Sequence, residues 1–312
     1  MAGSPLQSDD ESAGRVSAEA WEQRLLEAEG LDQTRLILDG WRADELALEP
    51  DLDSLCFYES LVAAFHRGDV PLVKYFLEEG VSITYTLSRD ALSEAVPENK
   101  RLEILETLYQ YGWDLNQKSP WLYNLEVKDS TFLPFPFQYT NQACSDSVKD
   151  KGAVKWLLDH GADLNPRTPI YCVPISIAAR DASLDTIRLL LEWGADPTRS
   201  IALKYAIMRD DEHWKTVIET LLDHGCGINN SNSFGISHRG RPRTDPGTVL
   251  HSAALWNRHH MIPFLLEKGA DPLKVTETGL TPAQYALENG SEEAASILAE
   301  EERQFNARQG EI

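Results

Sequence analysis

Six aromatic side chains, Trp121, Tyr123, Phe132, Phe135, Phe137 and Tyr139, crowd into one short stretch, QKSPWLYNLEVKDSTFLPFPFQYT at 117–140. Rings bury a large area at small entropic cost, so on a loop they suit anchoring a partner or lining a ligand pocket. A second reading stays open beside it: six exposed rings are an aggregation hazard, and the stretch can instead close over a mini-core of its own. Further along, NSNSFGISHRGRPRTDPG at 230–247 sets Arg239, Arg241 and Arg243 at alternate positions. A guanidinium fork pairs bidentately with a carboxylate or a phosphate, so the three arginines suit a clamp on an acidic group. In a solvated loop they would equally meet the carboxylates of their own chain.

Classical catalytic chemistry is thinly represented. The sequence holds no G-x-S-x-G, no phosphate-binding Walker loop, no dinucleotide fingerprint and no H-E-x-x-H. If the chain is an enzyme, Tyr123, Tyr205 and His251 are the residues to nominate, grouped in a pocket lidded by the aromatic stretch. A histidine becomes a base only beside a positioned partner. His259-His260 and the pairs Asp159-His160 and Asp223-His224 invite a metal, yet no third ligand stands at a telling spacing. Neither a metal nor a cofactor is expected. Cys56, Cys144, Cys172 and Cys226 are scattered without a C-x-x-C pair and read as reduced thiols.

Bulk composition narrows the partners. With 50 acidic and 29 basic side chains the formal charge is −21, which repels a nucleic-acid backbone. Residues 1–60 alone hold 15 Asp and Glu against 4 Arg, a solvated acidic flank or an acidic docking surface. No apolar run approaches the length needed to span a bilayer, and the opening MAGSPLQSDDESAG lacks the apolar segment of a signal peptide. The expectation is a soluble protein of the cytoplasm or nucleus, with no membrane and no nucleic acid among its partners.

The elements that position these residues come from internal repetition. One phrase recurs: VKYFLEEGVSI, ILETLYQYGWDLN, VKWLLDHGADLN, IRLLLEWGADPT, VIETLLDHGCGIN and IPFLLEKGADP. Each is an apolar helix end followed by a glycine, at Gly80, Gly112, Gly161, Gly194, Gly225 and Gly269, where a helix C-terminus needs a left-handed residue. A second phrase precedes it by about one helix: ESLVAAFHRGD (59–69), VPISIAARDAS (173–183), GTVLHSAALWN (247–257) and LTPAQYALENG (280–290). Two segments, ALSEAV (91–96) and IALKYAIMRDDEHW (201–214), read as weaker copies.

Together the phrases resemble the ankyrin-repeat family, whose units open with T-P-L-H-x-A-A and close with L-L-L-x-x-G-A-D. Thr281-Pro282, Leu250-His251 and the pairs Ala178-Ala179, Ala253-Ala254 and Ala63-Ala64 carry the resemblance. It implies an all-α solenoid of stacked helix-turn-helix units with a concave binding face, in which His251 makes a structural hydrogen bond between neighbouring units. Glycine spacings of 32, 49, 33, 31 and 44 residues, by subtraction, leave excesses over the 33-residue period at the aromatic and arginine stretches.

The expected organisation is a disordered acidic tail at 1–16, capping helices at 17–56, the repeat array at 57–300 and a charged tail at 301–312. The function it points to is a scaffold that binds another protein or peptide through its groove and long loops. The alternative is an enzyme or small-molecule binder with a pocket under the 117–140 insertion.

Overall fold

The computed structural model describes residues 17–44, 50–52, 55–116, 148–165, 173–231 and 247–310. Among them the regular elements are helices, with no strand, and they fall into two compact units, residues 1–113 and 114–312.

The first unit is built around aromatic rings. Helices α1 (Ala18–Leu26) and α2 (Leu31–Ala43) bring Trp21 and Trp41 into a stack with centroids 6.4 Å apart. Trp41 meets Phe57 of α3 (Leu55–Arg67), which meets Phe76 of α4 (Val70–Glu79) edge-on at 6.1 Å. Phe57 and Phe76 are fully buried, so this line of rings forms the spine of the unit. Polar clamps flank it: Arg42 of α2 pairs with Glu79 of α4, and the Arg35 guanidinium lies 5.0 Å over the Tyr75 ring. Burial and Glu79 push the Tyr75 hydroxyl up to about 12. Helices α5 (Tyr85–Ala91) and α6 (Glu98–Gln110) complete the unit. The first helix of this pair lies upstream of ALSEAV, because Thr84 caps it by accepting the Leu87 N–H and residues 92–97 form turns. Buried Arg101 then donates to the carbonyls of Ser93 and Val96, closing those turns.

Among the described residues of the second unit, α7 (Lys151–Asp159) is followed by helix pairs: α8 (Pro174–Asp181) with α9 (Leu184–Glu192), α10 (Ala202–Ala206) with α11 (Trp214–Asp223), α12 (Val249–Leu255) with α13 (Ile262–Glu267), and α14 (Pro282–Glu288) with α15 (Glu292–Gly310). First helices stack on first helices, α8 on α10 on α12 on α14. Their alanines make this possible: Ala178, Ala179, Ala253 and Ala254 are fully buried, and side chains this small let backbones approach closely. Second helices turn an apolar stripe inward, as with Ile187 and Leu190 of α9 or Val217, Ile218 and Leu221 of α11. The phrase glycines have φ between 86° and 104°, and each donates its N–H back into the helix it ends. In α15, no side chain from 299 to 308 is buried.

Candidate partner-binding surface

Adjacent units in the second body are tied by a recurring asparagine. Asn116 donates from Nδ2 to the Gly161 carbonyl at 3.0 Å and accepts the Asp163 N–H on Oδ1 at 3.1 Å. Asn165 repeats this with Gly194 and Asp196 (2.8 and 2.7 Å), and Asn229 with Gly269 and Asp271 (2.9 and 2.7 Å). Each asparagine stands four residues after its own glycine and reads the next glycine and the second residue beyond it. At Gly194 the fourth residue is Thr198, whose hydroxyl turns back to Asp196, and there Cys226 donates from Sγ to the Pro197 carbonyl at 3.2 Å. Burial pushes that thiol up to about 12, so it stays protonated and unreactive.

Arginines perform a related task where the first helices end. Buried Arg209 donates to the Ala179 and Ala182 carbonyls at 3.1 and 2.9 Å, at the close of α8 in the preceding unit, and also holds Asp211. That hydrogen bond and charge draw the Asp211 carboxyl below its usual range. Arg258 repeats the reach, donating to the Met208 carbonyl after α10 at 3.3 Å and pairing with Asp210 at 2.6 Å. A positive group at a helix C-terminus satisfies orphan carbonyls and meets the negative end of the dipole.

The same edge carries exposed apolar groups. Leu255 and Trp256, at the end of α12, are 36% and 51% exposed. Asn257 follows with φ 48° and donates to Glu293 at 3.0 Å, which lowers the Glu293 carboxyl. Tyr205 on α10 is half-buried beneath the Arg180 guanidinium, 5.4 Å from its ring, while Arg180 pairs with Asp181.

His251 is wholly buried. Its Nδ1 accepts the Thr248 N–H at 3.0 Å and its Nε2 donates to the Leu280 carbonyl of the next unit at 3.0 Å, an arrangement of the neutral ring. Both ring nitrogens are thus engaged, Nδ1 in capping α12 and Nε2 in joining it to the next unit. Trp121, Tyr123, Phe132, Phe135, Phe137 and Tyr139 lie outside the described residues, as do Arg239, Arg241, Arg243, Cys144 and Cys172. A cleft between Pro197–Lys204 and Cys226–Asn230 offers about 20 Å³, room for a water and far from the several hundred that a small-molecule site encloses. Among the described residues no group of three or more His, Cys, Asp or Glu side chains could hold a metal ion, and no helix is long and apolar enough to cross a membrane.

Sequence comparison agrees with this architecture. A family model for ankyrin repeats, in three copies, matches residues 232–309. The ankyrin repeat protein YahD of Escherichia coli (strain K12) is 28% identical over 200 residues, which cover 63% of this chain and 89% of YahD. This chain is an ankyrin-repeat protein. The asparagine rungs, the buried histidine and the paired alanines are therefore the joints of an ankyrin array, an architecture whose general role is to bind other proteins. The mitochondrial disaggregases of Bos taurus and Homo sapiens are 29% and 25% identical over 161 and 180 residues, half of this chain in each case. The chain spans only about a quarter of their length, 22% and 25%.

An asparagine four residues after the glycine, as in GWDLN, GADLN and GCGIN, was present in the repeated phrase, and it is the signal that would have located the asparagine rungs. Arg209, Arg258 and Trp256 had no such signal, because each sits at a position where the units differ from one another.

Proposed function

We propose that this chain is a protein-interaction scaffold that captures a protein or peptide through the face of its first helices and its two long insertions. The aromatic insertion at 117–140 supplies the anchors, Trp121, Tyr123, Phe132, Phe135, Phe137 and Tyr139. Arg239, Arg241 and Arg243 in the second insertion engage acidic groups of the same partner. The observation that carries this reading is the division of labour in the array: the polar groups between units, Asn165, Arg209 and His251 among them, are committed to joining units, while Leu255 and Trp256 remain exposed at a helix end. Aromatic and arginine side chains are the residue types that dominate binding energy at interfaces.

The test is capture of partners from extract by the full chain and by a variant in which residues 119–139 are replaced with a short Gly/Ser linker. Both proteins are expected to show the same helical circular dichroism and the same melting of the array, with the captured protein lost from the variant. Equal capture by the two would remove the aromatic insertion from the binding surface. A large drop in melting temperature would assign the rings to a mini-core instead.

A further inference from the structure

We propose that Leu255 and Trp256 form a docking point for a basic peptide segment bearing an apolar or aromatic side chain, an inference that rests on the interaction-scaffold reading and names the partner chemistry at one place on it.

Neighbouring units end their first helices differently. Helix α8 ends in Arg180 and Asp181, which pair with each other at 2.7 Å, and α10 runs on into buried Ile207 and half-buried Met208. Only half of the Trp256 surface is covered, although the indole is the side chain with most to gain from burial. Leu287, 69% exposed on α14, adds a third apolar group on the helix that packs against α12.

Charge selects what covers them. Carboxylates reach the two residues that follow Trp256 from both sides: Asp210 of the preceding unit through Arg258, and Glu293 of the following unit through Asn257. Asp211, Glu212 and Glu288 are exposed on the same segments. Against these five acids stand Arg209, buried on Asp211, and Arg258, held by Asp210, with His213, His259 and His260 on the same segments, burial holding the last imidazole below its usual value. An apolar prominence in a net negative rim repels acidic segments and attracts Lys or Arg flanking a hydrophobic residue. A second copy of the chain, itself carrying −21, meets the same repulsion.

The experiment pans a phage-displayed random peptide library on the immobilised full chain and then measures the enriched peptides on Trp256→Ala and on the double variant Glu212→Lys, Glu288→Lys. All three side chains are exposed, so thermal melts of the variants are expected to match the parent. The expected outcome is a set of peptides with net positive charge and at least one Trp, Phe or Leu. Their affinity falls about tenfold or more on Trp256→Ala and severalfold on the charge variant, and weakens with salt. Peptides that bind Trp256→Ala as well as the parent, or acidic ones, overturn the docking point while leaving the scaffold reading intact. No enrichment overturns the docking point as well, and if extract capture by the full chain also fails, the scaffold reading falls separately. A dimer of the full chain that Trp256→Ala dissolves would overturn it in favour of self-association.

Discussion

Asn165 Oδ1 accepts the backbone N–H of Asp196 at 2.7 Å while its amide donates to the Gly194 carbonyl, so a single side chain spans two ankyrin units. Replacing it with alanine removes both bonds at an exposed loop, where water recovers part of the loss. Asn165→Ala is expected to cost about 1–2 kcal/mol in urea-induced unfolding. Thr198→Ala, which lacks the inter-unit pair, is expected to cost less; equal costs would deny the asparagine its joining role.

Arg209 is buried and serves three partners, so its loss strands carbonyls as well as a carboxylate. Arg209→Met is expected to destabilise the array by about 2–4 kcal/mol. The pH dependence has a definite sign. Asp211 has a carboxyl value lowered in the folded state, so its contribution is full above the ordinary carboxyl value near 3.8 and is lost as the pH falls through the depressed one. Unfolding followed by circular dichroism from pH 6 down to pH 2 should show that part of the acid sensitivity in the parent and not in Arg209→Met.

His251 lies at the third position of α12, where Gln284 stands in α14, and both close a capping box on the preceding threonine. His251→Ala opens a cavity, unpairs the Thr248 N–H and leaves the Leu280 carbonyl with the Thr276 N–H alone, for an expected loss of about 2–4 kcal/mol. His251→Gln keeps a side chain able to close the box and should lose about half as much. A catalytic role would instead leave stability unmoved in either variant.

Two glycines separate backbone strain from steric conflict. Gly194 has φ 93° with nothing within 4 Å of an added Cβ, so Gly194→Ala is expected to cost about 1 kcal/mol of left-handed strain. At Gly247, φ 74°, a Cβ would stand 2.4 Å from the His251 ring, and Gly247→Ala should lose clearly more in a thermal melt.

The array was legible in the chain because two physical constraints repeat with it. A left-handed residue must end each second helix, which marks Gly80 through Gly269, and close helix approach demands the small pairs at Ala178-Ala179 and Ala253-Ala254. The start of α5 was harder to read, since Thr84 is an ordinary loop residue until its hydroxyl caps the helix. Trp256 was invisible as a surface group: in a helix-end sequence, LWN, a tryptophan reads as core, and its exposure follows only from where α12 stops. Asp210 and Glu293 lie 46 and 37 residues from Trp256 in sequence, by subtraction, and their contacts with Arg258 and Asn257 just after it are a product of stacking alone.

The central claim, that this ankyrin array is a surface for a protein partner, is tested most directly by hydrogen–deuterium exchange on the full chain with and without the captured partner. The account predicts slowed exchange in 117–140 and 230–258, with the second helices α9 and α11 unchanged. Protection confined to those second helices, or none anywhere at saturating partner, would contradict it.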